Sequence, residues 1–306
     1  MGLLFRMPKR DALWAIQQYE SVRSLLPTAQ MPAQSTHSEN LGAISDHFDV
    51  FLLDAFGVLN VGKTGINGAV ERVQLLKNMG KTVLVLTNGA RLPAENALKK
   101  FLELGFHFDL SDIVSSRDAL AAALPPLPDD GFWGVMSSQN SQIETLDVLC
   151  NRLEDEKLTY DNASGFILLS SSEWNDSRQL LLRESLAQTP RPILVGNPDI
   201  IAPRENQLSL EPGHYAYELG RDLKLKLELF GKPFANIYDL AFKRLPDINR
   251  SRVAMVGDSL HTDILGGAAC GVKTVLVTEH GLFSGFDCRQ FIMETKIVPD
   301  FIIPTI

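Results

Sequence analysis

The chain is short of cysteine, of long apolar runs and of basic residues in excess, and each shortage excludes something. Its 306 residues hold three cysteines, Cys150, Cys270 and Cys288. An odd, widely spaced set gives neither a disulfide framework nor a zinc site and points to a reducing, cytoplasmic setting. No stretch approaches the roughly 20 apolar residues that a membrane-spanning helix needs, so no membrane segment is expected. Acidic residues outnumber basic ones, 37 to 29, for a formal net charge of −8. That disfavours a general nucleic-acid binder, whose affinity rests on Lys and Arg neutralising phosphates. Gly2 is the residue an acylation signal wants, but Arg6 stands where Ser or Thr is required. The apolar run at 2–5 is too short for a secretory core, so no export is expected. No internal repeat or low-complexity run is present.

What is present is an ordinary globular composition, 45% hydrophobic and 22% charged. Leu13, Ile16, Tyr19, Val22 and Leu26 recur at helical spacing and predict one amphipathic helix over 11–26. A polar stretch at 30–40 with Pro32, Ser35, Thr36 and Ser38 follows and reads as a loop. Residues 1–40 therefore read as an extension that packs on the main domain or docks a partner helix.

Beyond Asp46, short apolar runs alternate with amphipathic helices. Strands are expected at 48–53, 82–86, 252–256 and 274–277, and helices from Val70 to Met79, stopped by Gly80, and from Pro93 to Leu102. Such alternation predicts an α/β fold, a Rossmann-like parallel sheet with helices on both faces. The middle has its own alternation, with strands at 132–136, 165–169 and 192–195 and helices at 143–153 and 177–187. It reads as a second α/β unit inserted in the first. The expected division is 41–126 and 214–306 for the main domain and 127–213 for the insert.

Ligands of parallel α/β sheets bind beyond the carboxyl ends of the strands. The polar residues expected there are Asp54, Thr87-Asn88 and Asp258, with Lys232 of Gly231-Lys232-Pro233 at a helix start. Asp54 could attack phosphorus as a nucleophile. Because nucleophile and phosphoryl group are both negative, a cation must join them, and Mg²⁺ held by Asp54 and Asp258 suits that task. Thr87 and the Asn88 backbone N–H could bind the phosphoryl oxygens while Lys232 neutralises their charge.

This ordered set resembles the four motifs of the haloacid-dehalogenase-like (HAD) hydrolases: Asp54-Ala55-Phe56-Gly57-Val58, Thr87-Asn88-Gly89, Gly231-Lys232-Pro233, and the segment Gly257 to Ile264. Gly196-Asn197-Pro198-Asp199, within the 145 residues separating Thr87 from Lys232, resembles the NagD-like branch (class IIA), whose insert is a C2-type cap. The resemblance implies a HAD core and a Mg²⁺-dependent phosphatase acting on a small phosphorylated metabolite. It implies Asp54 as nucleophile and metal ligand, Thr87 and Lys232 as phosphate ligands, and Asp258 as the other carboxylate on the metal. It further implies a Phe56 backbone carbonyl on the metal, Asp263 as an accessory acid, and Asn197 and Asp199 where cap meets core. Glu205, Asn206 and the Glu211–His214 turn are candidates for substrate contact. The oligomeric state stays open, a homodimer included.

One position departs from the family pattern. HAD phosphatases carry a second aspartate two residues after the nucleophile, as general acid and base, and here that residue is Phe56. Such catalysis contributes typically 10²–10⁴-fold, so a slow enzyme, or one favouring good leaving groups, is expected. His261, in an expected solvated loop, and His214 and Asp199 near the cap–core junction are the nearest stand-ins. Two other readings follow: a phosphate-ligand-binding or regulatory protein that lost turnover, and a dehalogenase-like hydrolase, whose branch has an aromatic residue there but uses no metal.

Overall fold

The computed structural model describes residues 11–127, 131–204, 208–245 and 247–306. Gly2, Arg6, Glu205 and Asn206 lie outside the described residues. In chain order the first strands are β1 (Thr36–His37), β2 (Val50–Leu53), β3 (Asn60–Val61), β4 (Thr64–Gly65), β5 (Thr82–Thr87), β6 (Ile113–Ser115), β7 (Trp133–Met136) and β8 (Cys150–Arg152). Then come β9 (Gly165–Leu168), β10 (Ile193–Val195), β11 (Ile201–Pro203), β12 (Leu208–Leu210), β13 (Leu227–Leu229), β14 (Val253–Gly257), β15 (Lys273–Val277) and β16 (Phe301–Ile303).

The larger sheet runs β1-β16-β15-β14-β2-β5-β6, with parallel pairing throughout. Its central strands are apolar on both faces because helices cover both. Phe51, Leu53, Val85 and Val256 join the core on one side, and Leu52, Leu84, Leu86 and Met255 the core on the other. Leu53 pairs with Val256 and with Val85, so the carboxyl ends of β2, β14 and β5 lie within two residues of one another, at the point where the strand order reverses.

The second sheet runs β13-β10-β9-β7-β8, also parallel. Val135, Ile167, Leu169 and Leu194 share a cluster with Leu120 and Leu86 of the core unit. Met136, Phe166, Leu168 and Val195 face the sheet's own helices through Tyr160, Leu182, Leu186 and Leu219. The alternation of each strand therefore clamps the insert between core and helices.

Three expected features move. The boundary drawn at 213 falls inside the helix Pro212–Leu223, and β13 pairs with β10, so the second sheet's strands run through Leu229. Parallel neighbours need a crossover, and that helix supplies it. The boundary drawn at 40 leaves out β1, which pairs with β16 and so belongs to the larger sheet; a two-residue edge strand has no readable alternation. The helix expected over 143–153 is a 3₁₀ turn, Ile143–Leu146, followed by Asp147 at φ 56° and strand β8 beside β7. A left-handed residue ends the turn that the Ile143/Leu146 spacing had suggested would continue. Among the described residues, no helix is long and apolar enough to cross a membrane.

Candidate active site

The run of apolar residues in β2 ends at Asp54, whose carboxylate accepts the Ala55 N–H at 2.7 Å. β14 ends at Gly257, and Asp258 follows, accepting the Leu282 N–H at 2.7 Å. Only glycine fits at 57: its φ is +78°, and a Cβ there would lie 2.6 Å from Asp258 Cγ. Asp263 lies fully buried in the π-helical turn Leu260–Ile264, where it also accepts the Ser259 N–H at 3.1 Å. The ligand oxygens of Asp54, Asp258 and Asp263 all lie within 4.8 Å of one another. Lys232, 2% exposed, places Nζ 2.7 Å from Asp54 Oδ1 and 2.7 Å from Asp263 Oδ1.

Burial raises the Asp54 carboxyl to about 6, with Lys232 opposing and Asp263 adding to the rise. Burial and repulsion from Asp263 and Asp54 push Asp258 well above the carboxylate range. Burial works against the Lys232 charge, but Asp263, Asp54 and Asp199 outweigh it and raise its pKa. One ammonium thus faces four carboxyl groups, three of them raised by burial, and a divalent cation would offset the charge of their ionised forms. The donors are hard oxygens, the set that Mg²⁺ takes, so these residues fit that ion.

Thr87 ends β5 and is buried, and its Oγ1 accepts the Gly89 N–H at 3.1 Å. The Asn88 side chain is a tie. Its Oδ1 accepts the Lys232 N–H at 2.7 Å, and its Nδ2 donates to Lys232 O at 2.8 Å and to Asp199 Oδ1 at 2.7 Å. Gly231 makes room for it, with φ +114° and a Cβ position 2.5 Å from Asn88 Oδ1. Asp199 of the insert therefore reaches the core site. Asn197 does not; its side chain accepts the Asp199 N–H at 3.0 Å and donates to Glu211 at 3.1 Å, forming an Asx turn inside the insert.

Two family models match the chain, "Haloacid dehalogenase-like hydrolase" over residues 51–151 and "HAD-hydrolase-like" over 229–306. The chain belongs to the HAD hydrolases. Human glycerol-3-phosphate phosphatase is 26% identical, covering 88% of this chain and 92% of its own. A crystal structure of a HAD-superfamily protein from Cytophaga hutchinsonii, titled a possible sugar phosphatase, superposes with a TM-score of 0.77 at 24% identity, covering 90% of this chain and 98% of its own. A glycerol phosphate phosphatase of Mycobacterium tuberculosis, solved with magnesium, superposes with a TM-score of 0.61 at 22% identity, covering 78% of this chain and 69% of its own. The second sheet, β7 to β13, is inserted between Thr87 and Lys232, as in class IIA, the NagD-like branch of this family.

In this HAD hydrolase the Phe56 ring is held between two cations. Lys100 Nζ, from the helix Ala94–Glu103, lies 4.6 Å from its centroid, and Arg204 Cζ, from the insert, lies 5.0 Å away. Arg204 in turn pairs with Glu211 at 2.8 Å. The histidines also differ from expectation. His261 is not solvated: it is fully buried, 2.6 Å from Glu20 Oε1 and stacked on Tyr19. Residues 11–26 cover it, and sequence spacing holds no sign of that. His214 sits on the insert's helix near Trp14 and Glu218. Tyr19, Glu20, Lys100 and Arg204 are the site neighbours that sequence reasoning missed, since no motif marks them.

Burial also raises Asp199, to about 8, against the pull of Lys232 and the Asn88 hydrogen bond. A carboxyl that titrates above its unfolded value is favourable while protonated, and that contribution is lost as pH rises through about 8. Metal-free protein should therefore melt lower at pH 8.5 than at pH 7, and Asp199→Asn should flatten that part of the profile. Parallel slopes for the two proteins in calorimetry with a chelator would refute the assignment.

Proposed function

We propose that this HAD hydrolase is a Mg²⁺-dependent phosphatase of small phosphate esters, of the sugar-phosphate or nucleotide class, working through an aspartyl-phosphate on Asp54. The observation that carries the reading is the Asp54 carboxylate at its strand end, 2.7 Å from Lys232 Nζ and within 4.8 Å of the Asp258 and Asp263 oxygens. The phosphatase names of the human and mycobacterial relatives support it.

In this reading an Asp54 oxygen attacks phosphorus and the bond from phosphorus to the ester oxygen breaks. The Thr87 hydroxyl, the Asn88 backbone N–H and the Lys232 ammonium receive the phosphoryl oxygens, and the Asn88 side chain keeps Lys232 in place. The departing oxygen takes a proton from solvent water. A second water then attacks phosphorus and the acyl-phosphate bond breaks, returning the Asp54 carboxylate and inorganic phosphate, with the water's proton passing to solvent. Asp54, Asp258 and the Phe56 backbone carbonyl would hold Mg²⁺, with Asp263 alongside. When bound, it supplies the positive charge that lets an anionic nucleophile approach an anionic phosphoryl group. No carboxylate stands at 56, so alkyl phosphates should turn over slowly and 4-nitrophenyl phosphate faster.

A phosphate-release screen over a metabolite panel, with and without Mg²⁺, tests the reading. The metal assignment has its own arm: Asp258→Ala should weaken Mg²⁺ affinity by at least tenfold in calorimetry, because a hard cation loses a carboxylate ligand. Unchanged affinity in the variant would sink it. The Phe56 ring favours a second reading, a phosphate-binding protein that accepts one phosphoryl group and stalls. One phosphate trapped per chain without steady release would favour that.

A further inference from the structure

The helix α1 (Ala12–Ser21) is outside every motif, yet it touches both halves of the site. It begins at the Asp11 cap and buries Ala12, Ala15, Ile16 and Tyr19. With Val22 and Leu26 these residues share one apolar cluster with Ile200, Ile201 and Tyr217 of the insert and with Leu260, Ile264 and Phe283 of the core unit. Two adjacent side chains make the directed contacts. The Tyr19 hydroxyl accepts the Ile200 N–H at 3.1 Å, one residue from Asp199. The Tyr19 ring stacks on His261 at 5.0 Å and 7°, and Glu20 Oε1 lies 2.6 Å from His261 Nε2. His261 shares the turn Leu260–Ile264 with Asp263, the carboxylate that holds Lys232 Nζ.

The segment 199–204 is therefore held at both ends, at Ile200 by Tyr19 and at Arg204 by the Phe56 ring. Between its ends runs β11, and at its start Asp199 meets Asn88. From this juxtaposition we propose that α1 is an intramolecular bolt that keeps the insert closed over the Asp54 site, with Tyr19 and Glu20 as its positioning residues. Tyr19 fixes the loop that presents Asp199, and Glu20 fixes the turn that presents Asp263. Neither residue touches the reacting atoms; each acts through the residue it orients. The burial of Tyr19 raises its pKa far above neutrality, so the hydroxyl stays intact over the working pH range.

The test uses the full chain and hydrogen–deuterium exchange, which reads the bolt without any turnover. Tyr19→Phe keeps the ring and its stacking but deletes the acceptor for the Ile200 N–H. Exchange at Ile200 should rise about fivefold, the scale of one hydrogen bond, while the amides of β14 and β15 keep their protection. Glu20→Leu should loosen the turn 260–264, and Glu20→Gln, which retains an acceptor oxygen, should restore most of its protection. The kinetic arm rests on the proposed phosphatase activity: KM for 4-nitrophenyl phosphate should rise about fivefold in Tyr19→Phe with kcat within twofold. A folded Tyr19→Phe protein with wild-type exchange at Ile200 overturns the bolt. If the wild-type chain releases no phosphate, the phosphatase reading fails, while the exchange result still decides the bolt.

Discussion

Asp54→Asn is expected to abolish steady phosphate release, by on the order of 10⁴-fold or more, the scale seen when a nucleophile is removed. An amide cannot form the acyl phosphate. The variant should nevertheless fold, and metal-free it should be at least as stable as the wild type. Asp54 is a partly buried carboxyl raised to about 6, set beside Asp258 and Asp263 with one lysine among them. Its neutralisation removes repulsion from an overcharged cluster, and Lys232 keeps Asp263 at 2.7 Å. Melting should be measured beside phosphate release, and mass spectrometry of acid-quenched protein should show the phosphorylated species in wild type only. A variant that keeps its activity would place the nucleophile elsewhere.

The second large effect is a gain. Phe56→Asp should speed hydrolysis of alkyl phosphates by about 10²-fold, the lower end of what general acid–base catalysis supplies. A carboxylate there could protonate the leaving oxygen and then activate water. The surroundings limit the gain, because Lys100 and Arg204 now flank the Phe56 ring at 4.6 and 5.0 Å. Beside two cations a new aspartate would be held ionised, which helps it as a base and hinders it as an acid. Arg204→Gln added to Phe56→Asp should therefore raise the alkyl-phosphate rate further and change the 4-nitrophenyl phosphate rate less, since that leaving group needs little protonation. The ring is partly buried against the core, and its loss removes that packing, so melting belongs in the same experiment. A folded, Mg²⁺-binding Phe56→Asp protein that is no faster on any ester would favour the reading in which the site accepts phosphate and stalls.

The parts of this protein that a sequence determines by itself are those set by local chemistry. Apolar runs ending in Asp54, Thr87 and Asp258 specify strands buried on both faces with polar residues at their carboxyl ends, and a parallel sheet then places those ends side by side. Lys232 was legible as the lysine of Gly231-Lys232-Pro233 at an expected helix start. The tertiary structure decided everything that depends on elements far apart in the chain. Tyr19 meets Ile200 across 181 positions and Asn88 meets Lys232 across 144, and no periodicity encodes such a pairing. The same holds for the edge strand Thr36–His37, the insert's extent through Leu229, and His261, whose burial depends on a helix that begins at Ala12. Periodicity reports which face of an element is apolar, whereas which element comes to cover that face is decided by packing.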